Sequence, residues 1–382
     1  MLFTPQSDMG RPLRLGTRGS PLALAQARMT AQALIAAHGW TADAIEIVTV
    51  QTSGDRIQDR ALADIGGKAL WTKELDRALV AGETDLSVHS MKDVETVRHD
   101  IFHIAAMLPR ADPRDKLIGA ASFDALPPNP IVGTSSPRRG AQVKRLRPDA
   151  TITLFRGNVA TRLAKLAAGE VHATLLAAAG LDRLDQGDVG TIIPVDTMLP
   201  APSQGAVGIE ILAGNAPVIE AVAAINHRDT FDTVMMERAV LRGLGGTCHS
   251  PIAALALVDG DDLMLRAEII SPDGQETVSE NLRLARGDLD AGEALGRDRT
   301  AERARQLGLS PVVHPLFAPE TLDWPAPPAQ DFDALLLTSA NGARCAGPAL
   351  KAYHALPTYA VGQATADALH AAGWDDVAAG DA

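Results

Sequence analysis

The sequence predicts an α/β protein built from two similar lobes with a shared cleft, a small α+β third domain and a short α/β C-terminal extension. Strand and helix patterns alternate through the first half of the chain, which is typical of α/β folds. The motif LGTRGSPLALAQ at 15–26 is echoed by IVGTSSPRRGAQ at 131–142, which indicates two lobes of one design. Beyond about residue 225, apolar and polar residues alternate around a turn at 272–274, as in a small antiparallel sheet.

The first lobe begins with a short apolar strand at 13–15 that runs into an amphipathic helix. Ser20 at the N-cap and Pro21 at the first helical position predict where this helix begins, and Gly39 predicts where it ends. Because strands and helices continue to alternate, we expect the strands to be parallel. The next predicted elements are a strand at 44–50, a helix at 70–82 and a strand at 85–90.

The second lobe repeats this design, with a strand that leads into Ser136-Pro137 and a helix. Free N–H groups and the helix dipole make helix N-termini natural anion sites, so the two Ser-Pro turns predict one such end per lobe at the cleft. Ser-Pro could equally serve only as a cap; the repeated Gly-Thr and nearby arginines favour the anion site. The elements that follow are a strand at 150–155, a helix at 159–169 and a strand at 172–179.

The third domain opens with a helix, DTVMMERAVLRGLGG at 232–246, that leads to Cys248. The antiparallel pattern spans 252–276, and a helix at about 290–307 closes the domain. A proline-rich stretch at 315–330 is typical of a linker, and two further strand–turn–helix patterns follow it.

Composition narrows the class of protein. A formal net charge of −12 argues against a nucleic-acid partner, and no apolar run approaches the ~20 residues of a membrane span. The N-terminal residues lack the basic and then apolar build of a signal peptide. Two cysteines in 382 residues cannot form a disulfide framework, so we expect a reducing, cytoplasmic setting.

Motifs for nucleotide or metal chemistry are missing. The chain has no P-loop, no C-x-x-C and no H-E-x-x-H, and its ten histidines are scattered, so we expect no metal site. Cys248, beside a glycine pair and Ser250-Pro251, allows two interpretations. A lone cysteine is most often a small buried hydrophobe, and the alternative is a thiol kept reachable for chemistry.

Basic residues gather in loops that follow predicted strands. Arginine suits planar, bidentate recognition of carboxylate or phosphate, so together they predict a small polyanionic substrate such as a polycarboxylate. Asp93 in HSMKDVE adds a carboxylate that could protonate a leaving group and stabilise a nearby cation, or could be a helix cap or an ion-pair partner. The basic residues are Arg18, Lys92, Arg138, Arg139, Arg156, Arg162 and Arg183.

From residue 13 to about 305 the chain resembles the porphobilinogen deaminase family, also called hydroxymethylbilane synthases. The resemblance rests on ordered segments: GTRGSPLAL, GGKALWTKELDRAL, DLSVHSMKDV, PRADPRDKL, VGTSSPRRGAQ, FRGNVATRL, AAAGLDRL, PAPSQGAVGIE and LGGTCHSPIAA. It implies two periplasmic-binding-protein-like lobes and a third domain that carries the cofactor cysteine. The implied domains are lobe 1 at 13–106 with 206–224, lobe 2 at 107–205, the cofactor-attachment domain at 225–307 and the extension at 308–382.

The resemblance also implies the reaction, a step of haem and other tetrapyrrole biosynthesis. Four porphobilinogen molecules condense head to tail with loss of ammonia, and hydrolysis releases hydroxymethylbilane. Growth takes place on a dipyrromethane cofactor bound to Cys248 by a thioether, and Asp93 is the catalytic acid. Cofactor-binding positions are Ser20, Lys92, Asp93, Arg138, Arg139 and Arg162. Substrate-binding positions are Arg18, Ser20, Lys68, Arg156, Arg162, Arg183 and Gln204.

The tail at about 308–380 resembles the opening part of uroporphyrinogen-III synthase, through DFDALLLTSANGAR and LPTYAVGQATADALHAAGW. The second lobe of that family is missing from the sequence, so we expect an inactive fragment. We also expect a monomer, and a hand-off of its product to a separate uroporphyrinogen-III synthase. Two alternatives remain: a non-catalytic, two-lobed anion-binding protein and a bifunctional fusion with working synthase activity.

Overall fold

The structure, a computed structural model, describes residues 4–5, 9–51, 72–244, 250–296, 328–332, 334–337, 348–360, 363–374 and 377–379. The chain divides into two compact units, Met1–Val313 and His314–Ala382. Among the described residues, no helix combines the length and apolar character needed to cross a bilayer.

The described α-helices and strands follow the alternation expected from the sequence. The helices are α1 (Pro21–His38), α2 (Lys73–Val80), α3 (Pro137–Leu146), α4 (Val159–Ala167), α5 (Ala178–Asp182), α6 (Ala216–Ala223), α7 (Arg228–Gly243), α8 (Leu289–Ala294) and α9 (Gln363–Ala371). The strands are β1 (Leu13–Arg18), β2 (Ile45–Val50), β3 (Leu86–Ser90), β4 (Phe102–Met107), β5 (Asp115–Ile118), β6 (Ile131–Gly133), β7 (Thr151–Thr153), β8 (Ala173–Ala177), β9 (Thr191–Ile192), β10 (Val207–Leu212), β11 (Ile252–Asp259), β12 (Asp262–Ile270), β13 (Thr277–Ala285), β14 (Leu335–Leu337), β15 (Thr358–Ala360) and β16 (Val377–Ala379).

The first lobe is a five-stranded sheet in the order β2-β1-β3-β10-β4. Its apolar residues form one core with α1 and α6, which includes Leu13, Leu86, Ile209 and Val218. The predicted start of α1 is confirmed, because the Ser20 hydroxyl accepts a hydrogen bond from the backbone N–H of Ala23. The cap thus fixes the helix N-terminus directly after β1.

The second lobe repeats this plan in a sheet ordered β7-β6-β8-β5-β9. Its core includes Leu117, Val132, Val143 and Leu175. α3 starts at the second Ser-Pro as predicted, with the Ser136 hydroxyl accepting from the N–H of Arg139. The fold class predicted from the sequence is confirmed: two α/β lobes of one design.

The expectation of purely parallel sheets is wrong. β10 runs antiparallel to β3 and β4, and β5 runs antiparallel to β8 and β9. β5 enters its sheet from the first lobe through the connection at 108–114, and β10 enters its sheet from the second lobe through the connection at 193–206. Neither strand follows a crossover helix that packs beside its neighbouring strand. Without that helical crossover, nothing holds them to the parallel direction.

The third domain contains the predicted antiparallel sheet, in the order β11-β12-β13. α7 and α8 pack on it around Met236, Val240, Leu265 and Leu295. In the second unit, β14, β15 and β16 are parallel, and a core that includes Leu369 and Trp374 forms around them.

Candidate active site

In lobe 1, the ends of β1 and β3 bring together the polar side chains that the sequence singled out. Arg18 ends β1, Ser20 begins α1, and Asp93 lies in a 3-10 turn, Met91–Asp93, that follows β3. All three line a cavity of about 60 Å³ together with Gln26, His89 and Ser90. The cavity places the Asp93 carboxylate near Arg18 and the N-terminus of α1, and the arginine and the helix N-terminus are groups that attract anions.

In lobe 2, a carboxylate that the sequence analysis did not single out is the centre of the site. Asp115 is fully buried and accepts hydrogen bonds from Arg138 Nη2 (2.8 Å), Arg139 Nη2 (2.6 Å) and Gln204 Nε2 (2.8 Å). Burial alone would raise the pKa of Asp115, but the two guanidinium groups hold it well below its usual range. Asp115 is therefore ionised and fixes two arginines at the start of α3.

Both arginines have further partners inside the lobe. Arg138 Nη1 donates to the carbonyl of Leu199 and to Gln142 Oε1, and Arg139 Nη1 donates to the carbonyl of Leu175. Arg138 is 3% exposed and Arg139 is 6% exposed. Their charges therefore reach the cleft largely as an electric field from beneath its surface, whereas the sequence suggested side chains that extend into it.

Arg162, another predicted arginine of lobe 2, lies near Arg139 and Arg156. The pKa of Arg162 is lowered to about 10 because the group is buried and lies near the charges of Arg139 and Arg156, an effect that Asp93 opposes. Arg162 Nε donates to the carbonyl of Gly157 (3.0 Å). Arg162 is therefore a buried cation that lies beside other cations.

Two contacts at the cleft involve the connection at 193–206 between the lobes. Lys92 Nζ, from the turn after β3, lies 3.5 Å from Oε1 of Gln204. Arg183 Nη2 donates to the carbonyl of Gly205 (2.7 Å), while its Nε is buried and has no hydrogen-bond partner among the described residues. Burial lowers the pKa of Lys92 to about 8, with Asp93 opposing the shift and Arg139 adding to it. The predicted site residues thus converge from both lobes.

Several buried charged groups near the cleft escaped the sequence analysis. Glu237 on α7 is fully buried and accepts hydrogen bonds from Arg110, from the N–H of Ser203 and from the N–H of Ala256. It thereby ties both connections between the lobes to the third domain. The only signal in the sequence was the charged pair Glu237-Arg238 between apolar residues of a predicted helix.

Two predicted site residues, Lys68 and Cys248, lie outside the described residues. Among the residues that are described, no group of three or more histidine, cysteine or carboxylate side chains could hold a metal ion.

Two α/β lobes that set a carboxylate opposite a cluster of arginines define a class, the two-lobed proteins that bind a polyanion in their cleft. Comparisons with known families specify it further. The model described as "Porphobilinogen deaminase, dipyromethane cofactor binding domain" matches residues 13–220, more than half of the chain, and "Porphobilinogen deaminase, C-terminal domain" matches 231–305. The chain belongs to the porphobilinogen deaminase family, transferases with a dipyrromethane cofactor.

Individual relatives agree with the family models. The porphobilinogen deaminase of Sphingopyxis alaskensis is 55% identical over 325 residues, which cover 83% of this chain and 99% of the relative. That of Paracoccus denitrificans is 47% identical over 304 residues, 78% of this chain and 96% of the relative. Among solved structures, a double mutant of the Bordetella pertussis BvgS VFT2 domain is 14% identical, covering 58% of this chain and 88% of that one, with a TM-score of 0.35.

The C-terminal residues match a different family. The model described as "Uroporphyrinogen-III synthase HemD" matches 298–382, which confirms the resemblance expected for the tail.

Proposed function

We propose that the chain is a hydroxymethylbilane synthase, which condenses four porphobilinogen molecules head to tail with loss of ammonia and releases hydroxymethylbilane by hydrolysis. The observation that carries the proposal is the cluster of cations across the cleft from Asp93. Each pyrrole of such a chain bears two carboxylates, and the cluster of Arg139, Arg156 and Arg162 would supply their counterions.

The residues of the cleft fit a dipyrromethane group. Burial and the nearby charges of Arg139 and Arg156 lower the pKa of Arg162. Arg183 keeps a buried Nε with no hydrogen-bond partner among the described residues, so a polycarboxylate would provide a partner for both arginines. Ser20, Lys92 and Arg162 would hold it, and Arg138 and Arg139 would attract its carboxylates from beneath the surface of the cleft. Cys248 would be the covalent anchor. When bound, the group supplies the pyrrole carbon to which the first substrate is joined.

Asp93 is the catalytic acid in this proposal. Its turn sets the carboxylate at the cavity, where it would protonate the departing amine and then stabilise the cation left on the substrate. Arg18, Ser20, Arg156, Arg162 and Arg183 would bind the substrate carboxylates. Lys68 and Gln204 complete the set, Gln204 by orienting the Lys92 ammonium.

The intact mass of the purified protein tests the function. We expect an excess equal to two linked pyrroles in the wild type and its absence in Cys248→Ser. The matched control is Cys345→Ser, which changes the other cysteine of the chain and should keep the adduct. A wild type that carries no adduct and forms no hydroxymethylbilane from porphobilinogen would refute the proposal.

A second activity is favoured by the match of residues 298–382 to uroporphyrinogen-III synthase. If the chain also carried that activity, porphobilinogen would be converted to the cyclic type-III isomer without added synthase. Spontaneous closure gives a different isomer, so chromatography of the oxidised products separates the two outcomes. Our sequence-based expectation is that a separate synthase is needed.

We also propose a domain organisation, a cellular location and an oligomeric state. We propose lobe 1 at 13–106 with 206–224, lobe 2 at 107–205, the cofactor-attachment domain at 225–307 and the extension at 308–382. We further propose a cytoplasmic monomer that hands hydroxymethylbilane to a separate uroporphyrinogen-III synthase. Sedimentation equilibrium would test the oligomeric state.

A further inference from the structure

The turn that carries Asp93 is held from below by an arginine of α7. The guanidinium of Arg238 donates to the backbone carbonyls of Val94 (3.2 Å) and Glu95, with longer contacts of 3.5 Å to those of Met91 and Thr96. One planar cation thus binds four carbonyl groups on both sides of Asp93. Arg238 is 4% exposed and does not line the cavity.

The apolar side chains of the same turn are fixed as well. Met91 and Val94 are buried against Val234 of α7. Gly208 on β10 leaves the space that Met91 occupies, since a Cβ there would lie 2.1 Å from the Met91 sulfur. Asp93 therefore stands between two anchored neighbours.

A second arginine holds the turn through a side chain. Arg98 Nη1 donates to Glu95 Oε2 (2.7 Å), and the Thr72 hydroxyl donates to the same carboxylate (2.9 Å). The same guanidinium also binds Glu210 on β10 (2.7 and 2.8 Å) and Asp76 on α2 (2.6 and 3.2 Å). Glu95 is thus the link between this buried network and the Asp93 turn.

We propose that Arg238 and Arg98 are positioning residues for Asp93, the first through the turn's carbonyls and the second through Glu95. The inference rests on the proposed function, in which Asp93 is the acid. Neither arginine touches the reacting groups in this account. Each fixes the backbone that aims the Asp93 carboxylate, and a displacement of about 1 Å can lower a rate ~100-fold.

Two carboxylates that share Arg98 provide a matched test. Glu95→Ala removes the link to the turn, whereas Asp76→Ala removes a partner of the same arginine that lies on α2. We expect kcat to fall roughly 10- to 100-fold in Glu95→Ala, with KM changed less than about threefold. In Asp76→Ala we expect kcat within about threefold of wild type. If either alanine variant fails to fold, Glu95→Gln and Asp76→Asn give the same comparison, with a smaller expected difference.

Arg238→Lys tests the second contact, because a lysine keeps the charge but cannot bind four carbonyls with a planar fork. We expect a lower kcat at unchanged KM and full cofactor loading by intact mass. The control on the same helix is Arg242→Lys, whose partner is Glu293 (2.8 Å).

Equal kcat values in the Glu95 and Asp76 variants, or losses confined to KM, would overturn the inference. The wild type in the same assay separates this result from failure of the proposed function, since an inactive wild type would refute that function and the inference with it.

Discussion

Asp115 and Arg139 form a buried ion pair at the base of the cleft, with Oδ1 and Nη2 2.6 Å apart. Arg138 binds the other carboxylate oxygen and Gln204 binds the same one as Arg139, so one anion from β5 organises two cations of α3. The carboxylate neutralises only half of the charge that it holds. The excess positive charge is fixed beneath the cleft before any anionic ligand binds.

Removing the Asp115 charge should therefore be costly. Asp115→Asn leaves two buried guanidinium groups without their anion, and we expect a loss of about 3–5 kcal/mol in the free energy of unfolding, measured by urea denaturation. The control is Asp196→Asn, which breaks an ion pair of the same 2.6 Å length with Arg266 at an exposed position. That change should cost less than ~1 kcal/mol. Similar losses in both variants would contradict the role given to burial.

The lowered pKa of Glu210 predicts how the free energy of unfolding depends on pH. Burial alone would raise its pKa, but His89 and Arg98 lower it from 4.5 to about 2. A carboxylate with a lowered folded-state pKa stabilises the protein above its unfolded value, and this contribution is lost as pH falls from about 4.5 towards 2. Urea denaturation between pH 7 and pH 2.5 should show a shallower acid-dependent decrease in Glu210→Gln than in the wild type. Glu83→Gln, at an exposed position, should follow the wild-type curve.

The lowered pKa of Lys92 predicts a basic limit for loading of the dipyrromethane group. Because this pKa is lowered to about 8, the ammonium loses its charge as pH rises through that value. Loss of one charge-assisted contact to a cofactor carboxylate should slow the loading of cofactor-free protein from porphobilinogen, followed by intact mass, roughly tenfold between pH 7 and pH 9.5. Lys92→Arg stays charged throughout, so its loading rate should change less over the same range. Parallel pH profiles of loading for the two proteins would count against this assignment.

Asp93→Asn should slow ammonia release about 10²- to 10⁴-fold, because the amide cannot donate the proton that the leaving amine needs. Single-turnover release of ammonia from porphobilinogen is the measurement. Asp100→Asn, an exposed position on the same connection, should react at the wild-type rate. A normal rate in folded Asp93→Asn would remove Asp93 from its catalytic role.

Local patterns predicted much of the fold. The Ser20-Pro21 turn and Gly39 predicted α1 to within a residue, and the β11–β12–β13 sheet followed from alternating polarity. These features depend on neighbours within a few positions of the chain. The direction of β5 and β10 does not, because it is set by which lobe the preceding residues come from.

The site was predictable only in part. The arginines were visible as residue types at strand ends, whereas their partners were not. Asp115 lies 23 and 24 positions from its two arginines, and Arg238 lies more than 140 positions from the carbonyls that it binds. No local spacing distinguishes such a buried charge from a solvated one. The binding of Arg138 and Arg139 to Asp115 could therefore not be predicted from the sequence.

Glu237 and Arg238 are consecutive residues of α7, yet they serve different parts of the molecule. The Glu237 carboxylate binds both connections between the lobes, and the Arg238 guanidinium binds the turn of Asp93. The third domain is therefore not an exchangeable module. A chimaera that joins these two lobes to a foreign third domain would need a glutamate followed directly by an arginine at this point of its helix. Without that pair, one exchange would release both the connections between the lobes and the turn that positions Asp93.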